Sequence, residues 1–490
     1  MTTAGDEASA PSASSAPSGG STPGGQAVAL ALVTLVGLGL RALTLPGHPS
    51  TYDEVDFTLA LESFDLARHQ PHFPGYPVFV LVACGLRALG LSSAVALGLP
   101  GIVGQLLVAG VLLVAGRRSA HPWLAPALWL LAPLPILESG RAMSDSFALG
   151  FAALGWLGLA SRQGRHRNLG ALALGLMVGI KADHALLLAP LLLPEHRRIE
   201  RWGAALAGLV VWLLPLLQLV GPGALCEEGR VFLRGHMTDW GGAVTSSDGP
   251  GVPARALRLL AGVGAGLGLP TGLAASLGGP LLLSLSASGW LRWSRREAGE
   301  TSGDHSGLRV LAVGVPPMTA WILLGQNLAH PRHLLALLPI VLLGLGALEA
   351  RRVALAMAIG LALAGVFQVA PELGREATHP SRLALRRFIE AGPDELRAPA
   401  TRIFGGEVIR VLEPAGLRCS LRRARTRADL IEQQLADPVP PERVFVTNEV
   451  QGLDPAELGP AVFDDGVLVL REWLRPSPEP ALPLPEEAGR

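Results

Sequence analysis

Ten long apolar stretches, separated by short arginine clusters, constrain this chain more than any other feature. The first is residues 26–45. Others follow at roughly 76–116, 121–139, 142–160, 168–195, 201–221, 253–291, 308–326, 331–348 and 352–370. A helix of about 20 apolar residues matches the hydrocarbon thickness of a bilayer. The clusters between them are Arg117-Arg118, then Arg162, Arg165 and Arg167, then Arg197-Arg198 with Arg201, then Arg292 with Arg295-Arg296, and Arg351-Arg352. Short arginine-rich loops stay on the cytoplasmic side. With all five there, the turns at 46–75, 138–145, 181–184, 222–252 and 327–333 face outward.

That parity requires an odd number of crossings in 76–116 and in 253–291, although each is long enough for two. Each is therefore expected to contain one short non-spanning or re-entrant helix, tolerated where protein covers it. The expected fold class is an all-α polytopic membrane bundle of about 11–13 spans in the inner (plasma) membrane, N-terminus cytoplasmic. A small C-terminal soluble α/β domain is expected outside.

Composition supports this partition. Apolar residues make up 49% of the 490 and charged residues only 16%, and 36 of the 80 charges fall in 371–490. Residues 1–25, mostly Ser, Ala, Gly and Pro, read as a disordered tail. Residues 26–370 form the membrane domain, 371–474 the soluble domain, and the Pro-rich 475–490 a second tail. Strand-like runs at Arg402–Val411, Arg443–Thr447 and Gly466–Leu470, with a helix-like stretch at Ala428–Ala436, give the soluble domain its α/β character. A net charge of zero offers no electrostatic footprint for nucleic acid. Cys84, Cys226 and Cys419 are too scattered for a disulfide framework or a zinc site.

Polar residues collect in the outward turns. The first carries Tyr52-Asp53-Glu54-Val55-Asp56-Phe57, then Glu62, Asp65, Arg68, His69, His72 and Tyr76. Val55, Leu59, Phe64 and Leu66 there fit a short helix lying on the membrane surface. A solvated loop helix is the plainer account. Adjacent carboxylates beside a span can also deprotonate an acceptor hydroxyl, or bind a metal that holds a phosphate. The second turn runs from Glu138 to Asp145. Its plain reading is an Arg141–Asp145 pair with Ser144 as N-cap. The third is Lys181-Ala182-Asp183-His184, and Lys181 is the only lysine among 40 basic residues. A self-satisfied Lys–Asp pair is its plain reading, yet charges at membrane depth usually mark a site or an ion path. The fourth, Gln326 to His333, offers Arg332, a planar fork of donors suited to phosphate, or else an arginine snorkelling to the interface.

The order of these motifs resembles the GT-C superfamily of membrane glycosyltransferases, and in particular its protein O-mannosyltransferase and aminoarabinose-transferase branch. Asp53-Glu54 matches the acidic pair after the first span. His72-Phe73-Pro74-Gly75-Tyr76-Pro77 is similar to a His/Pro-Pro stretch, with Phe73 in place of the usual Pro. Arg141 and Asp145 match an Arg-x-x-x-Asp, Ile180-Lys181-Ala182-Asp183 echoes a Thr-Lys-Gly-Pro-like turn, and Arg332-His333-Leu334-Leu335 with Pro339 resembles an Arg-Tyr-Leu-Leu-Pro-like stretch. The resemblance spans about residues 26–370.

It implies inverting transfer of a sugar from a polyprenyl-phosphate donor to a glycan, lipid or protein acceptor outside the cytoplasm. Asp53 would be general base or would orient the acceptor, with Glu54 beside it, and Asp145 would assist or hold a metal. Lys181, Arg332 and Arg141 would hold the lipid phosphate. His72, Tyr76 and His333 would line the sugar or acceptor pocket, with Asp183 beside Lys181 in the substrate-binding set. No particular cofactor is implied, and dependence on a divalent metal ion is left open. Competing expectations are a transporter or flippase of a lipid-linked glycan and a non-catalytic envelope assembly subunit.

Overall fold

The computed structural model describes residues 23–45, 51–67, 69–119, 121–239, 242–246, 249–299, 306–348, 351–370, 388, 401–405, 420–423, 427–435, 443–448, 450, 452–464 and 469–474. Nearly all of the expected N-terminal tail and all of the C-terminal one lie outside these residues. So do Arg68, Cys419 and parts of two expected strands, 406–411 and 466–468.

Helices dominate. In chain order they are α1 (Pro23–Leu43), α2 (Tyr52–Ala60), α3 (Pro77–Ala88), α4 (Ser93–Ala115), α5 (Leu124–Leu131), α6 (Pro133–Leu137), α7 (Asp145–Leu159) and α8 (Gly164–Ile180). After them come α9 (Ile199–Val220), α10 (Pro222–Arg234), α11 (Val252–Gly266), α12 (Leu273–Gly299), α13 (Ser306–Leu324), α14 (Leu338–Gly346) and α15 (Arg351–Val369). Among the described residues, α4 and α9 are long and apolar enough to cross a membrane by length and composition. The stretches 26–45, 142–160, 308–326 and 352–370 each form one helix, α1, α7, α13 and α15, whereas 121–139, 168–195, 253–291 and 331–348 are divided. The 168–195 stretch breaks at Lys181 into α8 and a 3-10 segment, Ala182–Leu192.

Proline explains one such break. The stretch 121–139, expected as one span, is interrupted at Ala132, whose extended backbone precedes Pro133. A residue before proline is pushed out of the α region, and proline has no N–H to continue the helix. The break leaves carbonyls of α5 without intrahelical donors. Buried Arg41 of α1 supplies them, donating to Leu130 O at 2.6 Å and Trp129 O at 3.1 Å. Arg255 of α11 does the same at the end of α13, donating to the carbonyls of Leu323, Gly242 and Gln326.

Close packing of α4 seats the turn that precedes α7. A Cβ at Gly101 would lie 2.3 Å from Ser139 O, and one at Gly104 would lie 2.1 Å from Ser146 O. Only glycine admits that approach. Gln105 then donates to Ser146 Oγ at 2.9 Å, and Ser146 Oγ to Glu138 O at 3.0 Å. Helices α4, α7, α8 and α9 pack as successive neighbours, which brings the start of α7 and the end of α8 together.

The first outward turn departs from expectation. Its helix, α2, stops at Ala60, and Phe64 and Leu66 follow in irregular chain. Val55, Phe57, Glu54 and Asp56 are all buried, so α2 is enclosed by protein instead of lying on a lipid surface. Apolar periodicity looks the same for either kind of cover. The stretch 222–252, expected only as an outward turn, contains the 13-residue α10 and a π-helical turn at Gly235–Asp239.

The C-terminal sheet has five strands: β1 (Thr401–Gly405), β2 (Ser420–Arg423), β3 (Arg443–Thr447), β4 (Leu458–Asp464) and β5 (Val469–Trp473). Their order is β2-β1-β3-β5-β4. Strand β1 pairs parallel with β2 and β3, and β5 antiparallel with β3 and β4. Phe404, Val444, Val446, Trp473 and Leu430 of helix α16 (Arg427–Leu435) form its core.

Candidate active site

The site begins at the N-terminus of α2. Thr51 is its N-cap, with its side chain accepting from the Glu54 amide at 3.4 Å. Asp53 and Glu54 thus sit in the first helical turn, where the helix dipole favours negative charge. Asp53 Oδ2 accepts from Arg332 Nη2 at 2.7 Å, and Asp53 Oδ1 lies 3.9 Å from His72 Nδ1. Burial works to raise the Asp53 pKa. The charges of His72, Arg332 and Lys181 outweigh it and hold the carboxyl below its usual range.

His72 and Tyr76 are brought to Asp53 by the turn before α3. Tyr76 takes a left-handed backbone conformation, φ 47°, immediately before Pro77 starts the helix. That conformation is costly for a residue with a side chain. Here it accompanies a 2.9 Å hydrogen bond between Tyr76 OH and His72 Nε2. His72 Nδ1 is also 3.4 Å from buried Asp56. A further aromatic wall comes from α10: Phe232 stacks on His72 with ring centroids 6.0 Å apart.

The second half of the site is a lysine between two carboxylates. Lys181 Nζ is 3.4 Å from Asp145 Oδ1 and 3.6 Å from Asp183 Oδ2, and 6.0 Å from the centre of the Tyr76 ring. Asp183 also accepts from Gln326 Nε2 at 2.9 Å and faces His184 Nδ1 at 2.9 Å. Lys181, Asp145, Asp183, Arg332 and His333 enclose a common space of about 10 Å³, room for roughly one water. Burial, with Arg332 alongside, lowers the His333 pKa to about 3, so its imidazole is neutral at physiological pH. Arg332 Nε and Asp145 Oδ2 are buried without a hydrogen-bond partner among the described residues. Arg332 therefore has a donor left for a further acceptor.

The Arg141–Asp145 pair of the plain structural reading does not form. Asp145 is the first residue of α7 and Arg141 lies in the irregular turn before it, so helical i,i+4 spacing does not apply. Arg141 instead bonds to Glu138 at 3.2 Å and approaches Glu54 at 4.0 Å. Ser144 occupies the N-cap position without a side-chain cap bond. Asp53, His72, Tyr76, Asp145, Lys181, Asp183, Arg332 and His333 thus converge, while buried Glu54 and Glu138 adjoin them beside the partly exposed Arg141. Among the described residues, no group of three His, Cys, Asp or Glu side chains is placed to hold a metal ion.

Sequence reasoning did not single out Asp56, Glu138, Gln326 or Phe232 as site residues. Gln326 and Glu138 had a signal, since both lie in outward turns beside flagged charges. Phe232 had only its place in the turn at 222–252.

No family model matches the chain, and no curated protein matches it in sequence. Solved structures do. The crystal structure of ArnT from Cupriavidus metallidurans bound to undecaprenyl phosphate is similar at a TM-score of 0.57 and 14% identity, over 92% of this chain and 98% of that one. The apo structure of that protein gives a TM-score of 0.44 at 15% identity, with the same coverage. The likeness is one of fold. That fold agrees with the GT-C-like fold that the resemblance implied.

Proposed function

We propose that this chain is a membrane glycosyltransferase that moves a hexosyl or pentosyl unit from a polyprenyl-phosphate donor to an extracytoplasmic glycan, lipid or protein. One observation carries the reading. Asp53, from the first outer loop, and Arg332, from the last outer turn, meet at 2.7 Å beside Lys181 and Asp145. A general base and a phosphate-binding cation are thereby adjacent, on a fold whose ArnT counterpart has been crystallised with undecaprenyl phosphate.

Donor binding would exchange partners. A phosphate arriving at Arg332 and Lys181 draws the guanidinium from Asp53, and loss of that pairing makes the carboxylate more basic. The acceptor hydroxyl then attacks the anomeric carbon from the face opposite the phosphate. Its proton passes to Asp53. The sugar–phosphate C–O bond breaks with its electron pair on the phosphate oxygen, and polyprenyl phosphate leaves as an anion held by the two cations. Asp183 and Asp145 orient Lys181. Glu54 and Glu138 orient Arg141 at the edge of the site. His72, Tyr76 and neutral His333 line the sugar or acceptor side. A divalent ion at Asp145 is compatible with this scheme but takes no step in it.

The same reading places about 11–13 crossings in residues 26–370, with the N-terminus cytoplasmic and the 371–474 domain outside. The test is a glycan and lipid-linked-sugar profile of cells with wild type, a deletion or Asp53→Asn at matched expression. Loss of one glycan with accumulation of one polyprenyl-phosphate sugar in both lesions is the expected result. An effect of the deletion alone would instead favour transport or scaffolding.

A further inference from the structure

We propose that Gln326 is a positioning residue for donor binding: its amide stands in for Lys181 as the partner of Asp183, which frees the lysine for the donor phosphate. The inference rests on the role of Lys181 in the proposed function. In the structure Lys181 is shared, with Nζ 3.4 Å from Asp145 Oδ1 and 3.6 Å from Asp183 Oδ2. An ammonium held by two carboxylates is a poor phosphate ligand unless one of them can let it go. Taking the cation from a buried carboxylate is costly, so the carboxylate that lets go is the one with other donors.

The two carboxylates differ in that respect. Asp183 accepts from Gln326 Nε2 at 2.9 Å through Oδ2, the same oxygen that faces Lys181, and its Oδ1 lies 2.9 Å from His184 Nδ1. A carboxylate only accepts, so both neighbours present N–H to it. Asp145 has no such substitute: its Oδ1 faces Lys181, and its Oδ2 is buried without a hydrogen-bond partner among the described residues. A phosphate therefore draws Lys181 away from Asp183 while the contact with Asp145 is kept.

The fold holds Gln326 for this task. Helix α13 ends at Leu324, and Gln326 is buried in the turn that follows. Its N–H donates to Trp321 O at 3.2 Å, and its carbonyl accepts from Arg255 Nη2 at 2.5 Å. With the backbone fixed on both sides, the side chain has less freedom to lose on bonding. Packing of α13 on the 182–192 segment brings Asp183 within reach of the amide. Gln326 also borders the space between Lys181 and Arg332, but its nitrogen is committed to Asp183, so it acts on the phosphate through Lys181.

The experiment is isothermal titration calorimetry of the full-length protein in detergent with farnesyl phosphate, and with farnesol as the uncharged control. Wild type should bind farnesyl phosphate more tightly than farnesol, and Lys181→Met should lose that preference. Gln326→Met, which keeps the length and removes the donor, should weaken farnesyl phosphate about tenfold, as expected for one hydrogen bond to a charged group, and leave farnesol unchanged. In an Asp183→Asn background Gln326→Met should have no effect, because the carboxylate that would recapture Lys181 is gone. A purely structural role for Gln326 would give the same loss in both backgrounds. Gln326→Asn, one carbon too short to reach Asp183, carries the same expectations should Gln326→Met not fold. Wild-type affinity in the Gln326 variants, or an equal loss with and without Asp183→Asn, overturns the proposal and leaves the role of Lys181 standing. Lys181→Met that binds farnesyl phosphate like wild type overturns that role, and this inference with it.

Discussion

Arg332 donates to Asp53 at 2.7 Å across 279 residues of chain. The contact joins the start of α2 to the turn before α14, and under the proposed function it links the proposed base to a proposed phosphate ligand, roles that substitution can separate.

Asp53→Asn should lower the transfer rate by roughly 10²–10⁴-fold with little change in donor affinity, because it removes the proton acceptor and keeps the shape. Arg332→Ala should weaken donor binding, and Arg332→Lys should restore only part of it, since an ammonium cannot hold a phosphate bidentately. Initial rates over a range of donor concentrations check both. Equal effects of Asp53→Asn and Arg332→Ala on donor affinity would contradict the division of roles.

The Asp53–Arg332 pair also predicts a pH dependence of stability. Asp53 has a folded pKa below its unfolded value of about 3.9. Its contribution is therefore fully present above that value and is lost as pH falls through the lower folded pKa. The difference in Tm between wild type and Asp53→Asn should not shrink between neutrality and about pH 5, where the charge of His72 also favours the carboxylate, and should shrink only in stronger acid. A difference already shrinking between pH 7 and 6 would contradict the assignment.

Lys181 stands between Asp145 and Asp183. Lys181→Met should destabilise by about 3–5 kcal/mol, because it leaves carboxylates buried without their cation. Adding Asp183→Asn should recover part of that loss without restoring transfer. Thermal unfolding of the single and double variants measures the coupling.

Gly104→Ala should disturb the site from a distance. Its new Cβ would fall 2.1 Å from Ser146 O, one residue from Asp145, and overpacking of this kind costs about 1–3 kcal/mol. Gly110→Ala on the same helix meets nothing within 4 Å and should be neutral or stabilising by up to about 1 kcal/mol. Comparing Tm and transfer rate for the two variants tests whether the α4–α7 approach positions Asp145.

Much of the helical bundle could be read from the chain alone. A side chain's cost in hydrocarbon depends on its own chemistry, so apolar stretches and the polar turns between them appear in a single sequence. Lys181 stood out on composition, and the structure surrounds it with Asp145, Asp183 and Tyr76. Local rules misled where the backbone changed course. Arg141 and Asp145 have helical spacing but no shared helix, Pro133 divided an expected span, and α2 is covered by protein where lipid was expected.

The sequence on its own settled which residue types lie at the ends of the apolar helices, because desolvation penalises each charge separately. Only the tertiary structure decided which charges meet. Attraction between Asp53 and Arg332, or between Lys181 and Asp145, depends on distances set by how α2, α7, α8 and the 327–333 turn pack. Those distances follow from close contacts such as Gly104 against Ser146, which no single stretch of sequence contains.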